Sequence, residues 1–230
     1  DRAETLRYLQ VVNQKQVDGI VLVGSVFDTI CQGAEMEKLL TGVPVVLANG
    51  KLDLPNAYSV TVDDKYGVSL AVEHLVARGR KNIYYIKDRD TDSAKAKRDG
   101  FLEAMRRNGL EFADHVLEAG ETLEDAVNAT QALLAQGIVP DGIVCGEDLT
   151  AAGALKALLR AGLRVPEQVA VVGFNNSDYA HLCEPVLTSI DNKPEQVALL
   201  CVQLLESRIE RSEAYSSVVL QPELAQGETS

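Results

Sequence analysis

Glu147 and Asp148 stand together where an apolar run, Gly142 to Cys145, gives way to the small-residue run LTAAGA, so two carboxylates mark the passage from a strand into a helix. A carboxylate there can accept backbone N–H bonds as an N-cap, or it can face a ligand beyond the strand; for Asp148 both readings stand. Lys95, Lys97 and Arg98 crowd the start of another helix, which is the composition of an ordinary solvated helix start. Asn175 follows the β-branched run Val169 to Phe174, and its amide both donates and accepts hydrogen bonds. Asn49 with Gly50 ends a further apolar run as turn chemistry does, and Ser25 follows the preceding one as a cap would. Nucleophilic and metal chemistry have weaker candidates. His74, His115 and His181 are isolated, and there is no HExxH, no GxSxG, no ligand-spaced Cys/His cluster and no glycine-rich phosphate loop. No catalytic residue, metal or cofactor is expected.

The elements that position these side chains alternate. Apolar spacing predicts a helix over 1–16, a strand over 19–23, a helix over 29–40 and a strand over 43–48. A helix over 66–77 follows the possible caps Asp63 and Asp64. Then come a strand at 83–87, helices at 93–108 and 123–135, a strand at 142–145, a helix at 149–161 and a strand at 169–174. A strand at 187–191, a helix at 195–209 and a strand at 217–220 complete the series. Short apolar strands separated by helices predict an α/β protein with doubly wound parallel sheets.

With 230 residues and 46% hydrophobic content the chain can bury a substantial core in one large domain or two small ones. The formal net charge of −12 argues against contact with a phosphate backbone, which needs a basic face to release counterions. No apolar run approaches the roughly 18 residues of a membrane span. Cys31, Cys145, Cys183 and Cys201 lack CxxC spacing and read as free thiols in a reducing compartment.

Three stretches carry a resemblance. VPEQVAVVGF running through NNSDYAHLCE into PVLTSI (165–190), PDGIVCGEDLTAAG (140–153) and SAKAKRDGFLEAM (93–105) resemble, in this order, the effector domain of the lactose-repressor/galactose-repressor family of bacterial transcription regulators. The resemblance covers almost the whole chain. It implies two doubly wound parallel-sheet lobes of the type I periplasmic-binding-protein kind, joined by three crossings, with a small effector held between them. One lobe would hold 1–62 plus 192–213, the other 63–191 plus 214–230. The family's DNA-binding headpiece and the first strand-helix unit of the N-terminal lobe have no counterpart here, so the sequence reads as a piece of a longer protein and that lobe is expected to lack a strand.

The resemblance also implies site residues. Lys97, four before Phe101, falls where the family has an Arg that reaches the effector, with Ser93 one turn earlier on the same face; Arg98 could serve instead. Glu147 replaces a family Asn, and an ionised Glu only accepts hydrogen bonds, so a ligand would present donors or positive charge there. Asp148 follows it. Asn175 replaces a family Asp that takes two hydroxyls, Asp191 stands near a lobe crossing, and Asn49 and Ser25 match the rim of the first lobe. Thr122 occupies a position often held by a sugar-stacking aromatic; there is no Trp, and Tyr66, Tyr179 or Phe27 would have to substitute.

The function implied is a non-enzymatic, cytoplasmic sensor, homodimeric, with operator DNA touched only through the headpiece. A periplasmic solute-binding protein of a transporter is the alternative, and an α/β enzyme using Glu147 or Asp148 as a base with Lys97 positioning substrate is a third. A sugar, sugar acid or similar polyol is expected as effector, rather than a purine.

Overall fold

A computed structural model describes residues 2–210 and 217–230. In chain order the elements are α1 (Arg2–Gln14), β1 (Ile20–Val23), α2 (Phe27–Ile30), α3 (Ala34–Leu40), β2 (Val45–Ala48), β3 (Ala57–Val62), α4 (Asp64–Ala77), β4 (Ile83–Lys87), α5 (Asp92–Arg107) and β5 (Val116–Glu118). They continue as α6 (Leu123–Ala135), β6 (Gly142–Cys145), α7 (Asp148–Arg160), β7 (Ala170–Phe174), α8 (Asp178–Leu182), β8 (Thr188–Asp191), α9 (Pro194–Ile209), β9 (Ser217–Leu220) and β10 (Glu223–Ala225). The described residues divide into two compact units, one from 2–62, 91–93, 193–210 and 217–220, the other from 63–90, 94–192 and 221–230.

The second unit is a sheet ordered β10-β8-β7-β6-β4-β5, parallel throughout except that β10 runs antiparallel to β8. Its central strands read as unbroken apolar runs because helices cover both faces. Along β6 and β7 the side chains alternate between two cores. Val144, Val172 and Phe174 pack with Val72, Leu75 and Phe101 on one face. Ile143, Cys145 and Val171 pack with Ala154 and Leu158 of α7 on the other. Burying a side chain such as Phe174 contributes on the order of 2 kcal/mol. Gly100 lets α5 lie against the first turn of α4, since a Cβ there would strike the Lys65 carbonyl.

The first unit is a parallel sheet ordered β1-β2-β3-β9. Val45 and Leu47 face Leu9, Met36 and Leu40, while Val46 and Ala48 face Val197, Cys201 and Leu204 of α9. Among the described residues β1 pairs with β2 alone, and its Val23 is 71% exposed.

The expected doubly wound α/β class is found, with differences in detail. The resemblance places 214–230 in the second lobe; 221–230 does lie in the second unit, but Ser217–Leu220 pairs with β3 in register Ser59↔Ser217 to Val62↔Leu220 and belongs to the first. The rest of that boundary, 211–216, lies outside the described residues. The helix expected over 29–40 is two short helices, broken at Gly33, whose φ of 100° lies in the region that favours glycine. The strands β3, β5 and β10 and the short helix α8 have no counterpart in the sequence reading. The four cysteines are free thiols, with Cys31, Cys145 and Cys201 buried.

Candidate functional site

In the second unit the chemistry-bearing residues gather at the carboxyl ends of β4, β6, β7 and β8. Asp148 is the hub. Its side chain is 1% exposed, and Oδ1 accepts from Ser189 Oγ at 2.6 Å while Oδ2 accepts from Ser177 N at 2.7 Å and Ser177 Oγ at 2.8 Å. Burial raises the carboxyl above its ordinary value, and these hydrogen bonds oppose that shift. The expectation that Asp148 caps its helix is corrected: Glu147 takes the N-cap position without a side-chain cap bond, and Asp148 turns inward to tie α7 to the loop after β7 and to β8. The carboxylate fits because Gly173 has no side chain; a Cβ there would collide with Asp148 Oδ1.

The loop that Asp148 holds carries Asn175 and Asn176, both with positive φ, 102° and 51°. The Asn176 N–H donates to Ser189 Oγ at 3.0 Å, extending the chain from Asp148 through Ser189. Asn175 donates its backbone N–H to Ile190 O at 2.8 Å, and its side-chain oxygen accepts from Asn192 Nδ2 at 3.0 Å. Asp191, beside that pair at the end of β8, is half-buried and faces Glu223 in register.

Lys97 and Arg98, alternatives in the sequence, point to different surroundings. Lys97 is 7% exposed, donates from Nζ to Gly146 O at 2.9 Å and sits 4.0 Å from the centre of the Phe174 ring. Arg98 pairs with its neighbour Asp99 at 2.8 Å on the exposed side of α5. Glu147 meets Arg89 Nη2 at 3.3 Å; burial first, then the nearby Asp88, raise its carboxyl pKa, and Arg89 and Lys97 lower it. Arg89 also reaches Asp88 at 3.3 Å and Glu121 at 3.8 Å. Thr122 is exposed and forms a capping box with Asp125, accepting from Asp125 N at 3.2 Å, so the structure gives its hydroxyl a helix-capping role.

In the first unit, Ser25 lies in the turn after β1, where its carbonyl accepts from Asp28 N at 3.1 Å. Asn49 follows β2 with φ 55°, and its buried Oδ1 has no hydrogen-bond partner. Beside it, Asp28 Oδ1 accepts from Lys51 N at 2.6 Å. Burial is the main cause that raises the Asp28 carboxyl. Ser93 is half-buried in the first turn of α5.

The sequence reading missed Tyr85, Asp88 and Arg89. Tyr85 is fully buried with an unpartnered hydroxyl, and Asp88 is 7% exposed. The signal was the charged run KDRD closing an otherwise apolar strand, together with a Tyr inside it.

A family model described as a periplasmic binding protein-like domain matches residues 72–230, more than half of the chain. A LacI transcriptional regulator from a Rhodococcus species is 31% identical with a TM-score of 0.85, over 96% of this chain and 81% of its own. The chain belongs to the periplasmic-binding-protein-like domains of the LacI family. Among LacI-family relatives, an HTH-type transcriptional regulator of Lachnoclostridium phytofermentans is 33% identical over 202 residues, 86% of this chain. The chain spans 61% of that relative's length. The structure of the transcriptional regulator CelR in complex with cellobiose has a TM-score of 0.83 at 27% identity, over 97% of this chain and 69% of that one. Among the described residues no helix is long and apolar enough to cross a membrane.

Proposed function

We propose that this LacI-family domain is the effector-sensing part of a bacterial transcription regulator and binds a sugar or sugar derivative. The candidate contacts are Glu147, Asn175 and Asp191 at the carboxyl ends of strands in one unit and Ser25 and Asn49 in the other, with Ser93, Arg98 and Thr122 as further candidates. Asp148 and Lys97 act from beneath by fixing the loops that present Asn175 and Glu147. The whole protein is a cytoplasmic homodimer that touches operator DNA through a part outside these residues, a reading supported by the formal charge of −12, which disfavours phosphate contact by this domain. Effector binding biases two arrangements of the protein by its differential affinity for them, which is the coupling a regulator needs.

The observation that carries this reading is the polar edge itself, in a chain similar to regulators whose descriptions include a helix-turn-helix protein and a cellobiose complex. Binding without turnover fits the same edge, because the best-placed carboxylate, Asp148, is fully engaged by donors and 1% exposed. A thermal-shift screen of sugars, polyols and purines tests the reading. A rise in Tm with a sugar or polyol is expected; a rise with purines alone would overturn it.

A further inference from the structure

We infer that the effector carries an amine, protonated at neutral pH, that meets Tyr85, Asp88 and Glu147 at the carboxyl edge of the second unit's sheet. The favoured class is then an amino sugar or another amino polyol. This inference rests on the effector-binding reading above and narrows it.

Three observations lead there. First, Tyr85 is fully buried and its hydroxyl has no partner, a costly state for a polar group. That hydroxyl lies at the Gly146 turn, where Asp88 Oδ1 also lies and from which Glu147 follows in the chain. Burial and then the charges of Asp88, Asp64 and Glu147 all favour the protonated phenol, whose oxygen can accept a hydrogen bond. Tyr85 and Asp88 converge on Gly146: a Cβ there would lie 2.6 Å from Asp88 Oδ1 and 3.2 Å from the Tyr85 hydroxyl.

Second, the cations at this edge are already engaged. Arg89 alone is shared by Asp88, Glu121 and Glu147, at 3.3, 3.8 and 3.3 Å. Lys97 is buried between the Gly146 carbonyl and the Phe174 ring. Lys97 keeps its charge, since its partners are neutral. Asp88, Glu121 and Glu147 against Arg89 and Lys97 therefore leave one negative charge, which repels the carboxylate of a sugar acid and attracts an ammonium. Asp148 does not contribute to this demand, because its own donors satisfy it.

Third, an inorganic cation fits poorly, since no group of three or more His, Cys, Asp and Glu side chains among the described residues is arranged to hold a metal ion. An ammonium asks less of the geometry: three N–H donors can meet the Tyr85 oxygen and the Asp88 and Glu147 carboxylates without a fixed coordination number.

The test is calorimetric titration with glucose, galactose and mannose, each beside its 2-amino and its uronic acid counterpart. Wild type is compared with Asp88→Asn and Glu147→Gln. The expected result is that an amino sugar binds at least about ten-fold tighter than its parent, equivalent to about 1.4 kcal/mol, that the uronic acid binds more weakly than the parent, and that both variants narrow the amine preference. If the buried Asp88→Asn does not fold, Glu147→Gln alone carries the comparison, since its side chain is 28% exposed. A parent or uronic acid that binds as tightly as its amine, or a preference unchanged in the variants, would overturn the amine inference and leave the sugar sensor standing. No binding by any member would overturn both.

Discussion

Asp148→Ala removes one acceptor and strands several donors. Ser177 and Ser189 can turn their hydroxyls toward other acceptors, but the backbone N–H of Ser177 cannot move without its loop. An unsatisfied buried N–H costs about 1–3 kcal/mol and the two lost hydroxyl bonds about 1 kcal/mol each, so the three cost about 3–5 kcal/mol. Relief from burying a carboxylate offsets part of this, because burial already raises the Asp148 pKa. The net expectation is a loss of about 2–4 kcal/mol. Asp148→Asn keeps the shape and one acceptor oxygen, and its amide can donate to a serine hydroxyl, so it is expected to lose about 1–2 kcal/mol. Urea denaturation measures both. With a slope of roughly 2–3 kcal/mol per molar urea for a chain of this size, Asp148→Ala moves the midpoint down by about 1 M and Asp148→Asn by about half of that. A midpoint unchanged in Asp148→Ala would refute the reasoning that this carboxylate ties three segments together.

Gly173→Ala places a Cβ against Asp148 Oδ1 and is expected to cost about 1–3 kcal/mol by overpacking; in the Asp148→Ala background the cost falls below about 1 kcal/mol, and equal costs in both backgrounds would sink the idea. His74 accepts from Arg78 at Nδ1, 3.0 Å away, because a guanidinium has nothing to accept with, so the ring's proton is on Nε2, facing Ser230 Oγ at 2.8 Å. Burial and then Arg78 lower its pKa from 6.5 to about 4. A depressed folded-state value means that the unfolded chain binds the proton first, so this contribution is present above pH 6.5 and is lost as the pH falls toward 4. Discounted for the solvent reaching a half-exposed ring, it is worth about 1 kcal/mol. His74→Gln is expected to reduce the loss of Tm between those two pH values relative to wild type. Lys97→Ala removes the bond to Gly146 O and is expected to weaken the sugar found by screening by about 1–3 kcal/mol, read by calorimetry; unchanged affinity would remove Lys97 from the site.

Much of this architecture is legible in the chain. Val169 to Phe174 and Gly142 to Cys145 are apolar throughout because helices cover both faces of their sheet, and that pattern is local. β3 escapes because AYSVTV mixes polar and apolar residues at a strand with partly buried positions. β9 shows as a strand, but its placement depends on pairing with β3, which no local pattern encodes. At the site, Lys97 and Asn175 stand out through motif position, whereas the choice of Lys97 over Arg98 turns on which face of α5 is buried. Asp148 illustrates the limit: an acid at a helix start reads as a cap, and only the approach of Ser177 and Ser189 from distant sequence shows the different role. Tyr85 and Asp88 were hidden for the same reason, since their neighbours come from β6 and α7.

Asn175 tests the central claim most directly. At φ 102° an alanine would strain the backbone, whereas Asn175→Gly removes the amide without that penalty. Calorimetric titration of the best-shifting sugar into wild type and Asn175→Gly is predicted to show one site per chain in the wild type and binding at least about ten-fold weaker in the variant. Equal affinity in the two proteins would contradict the account.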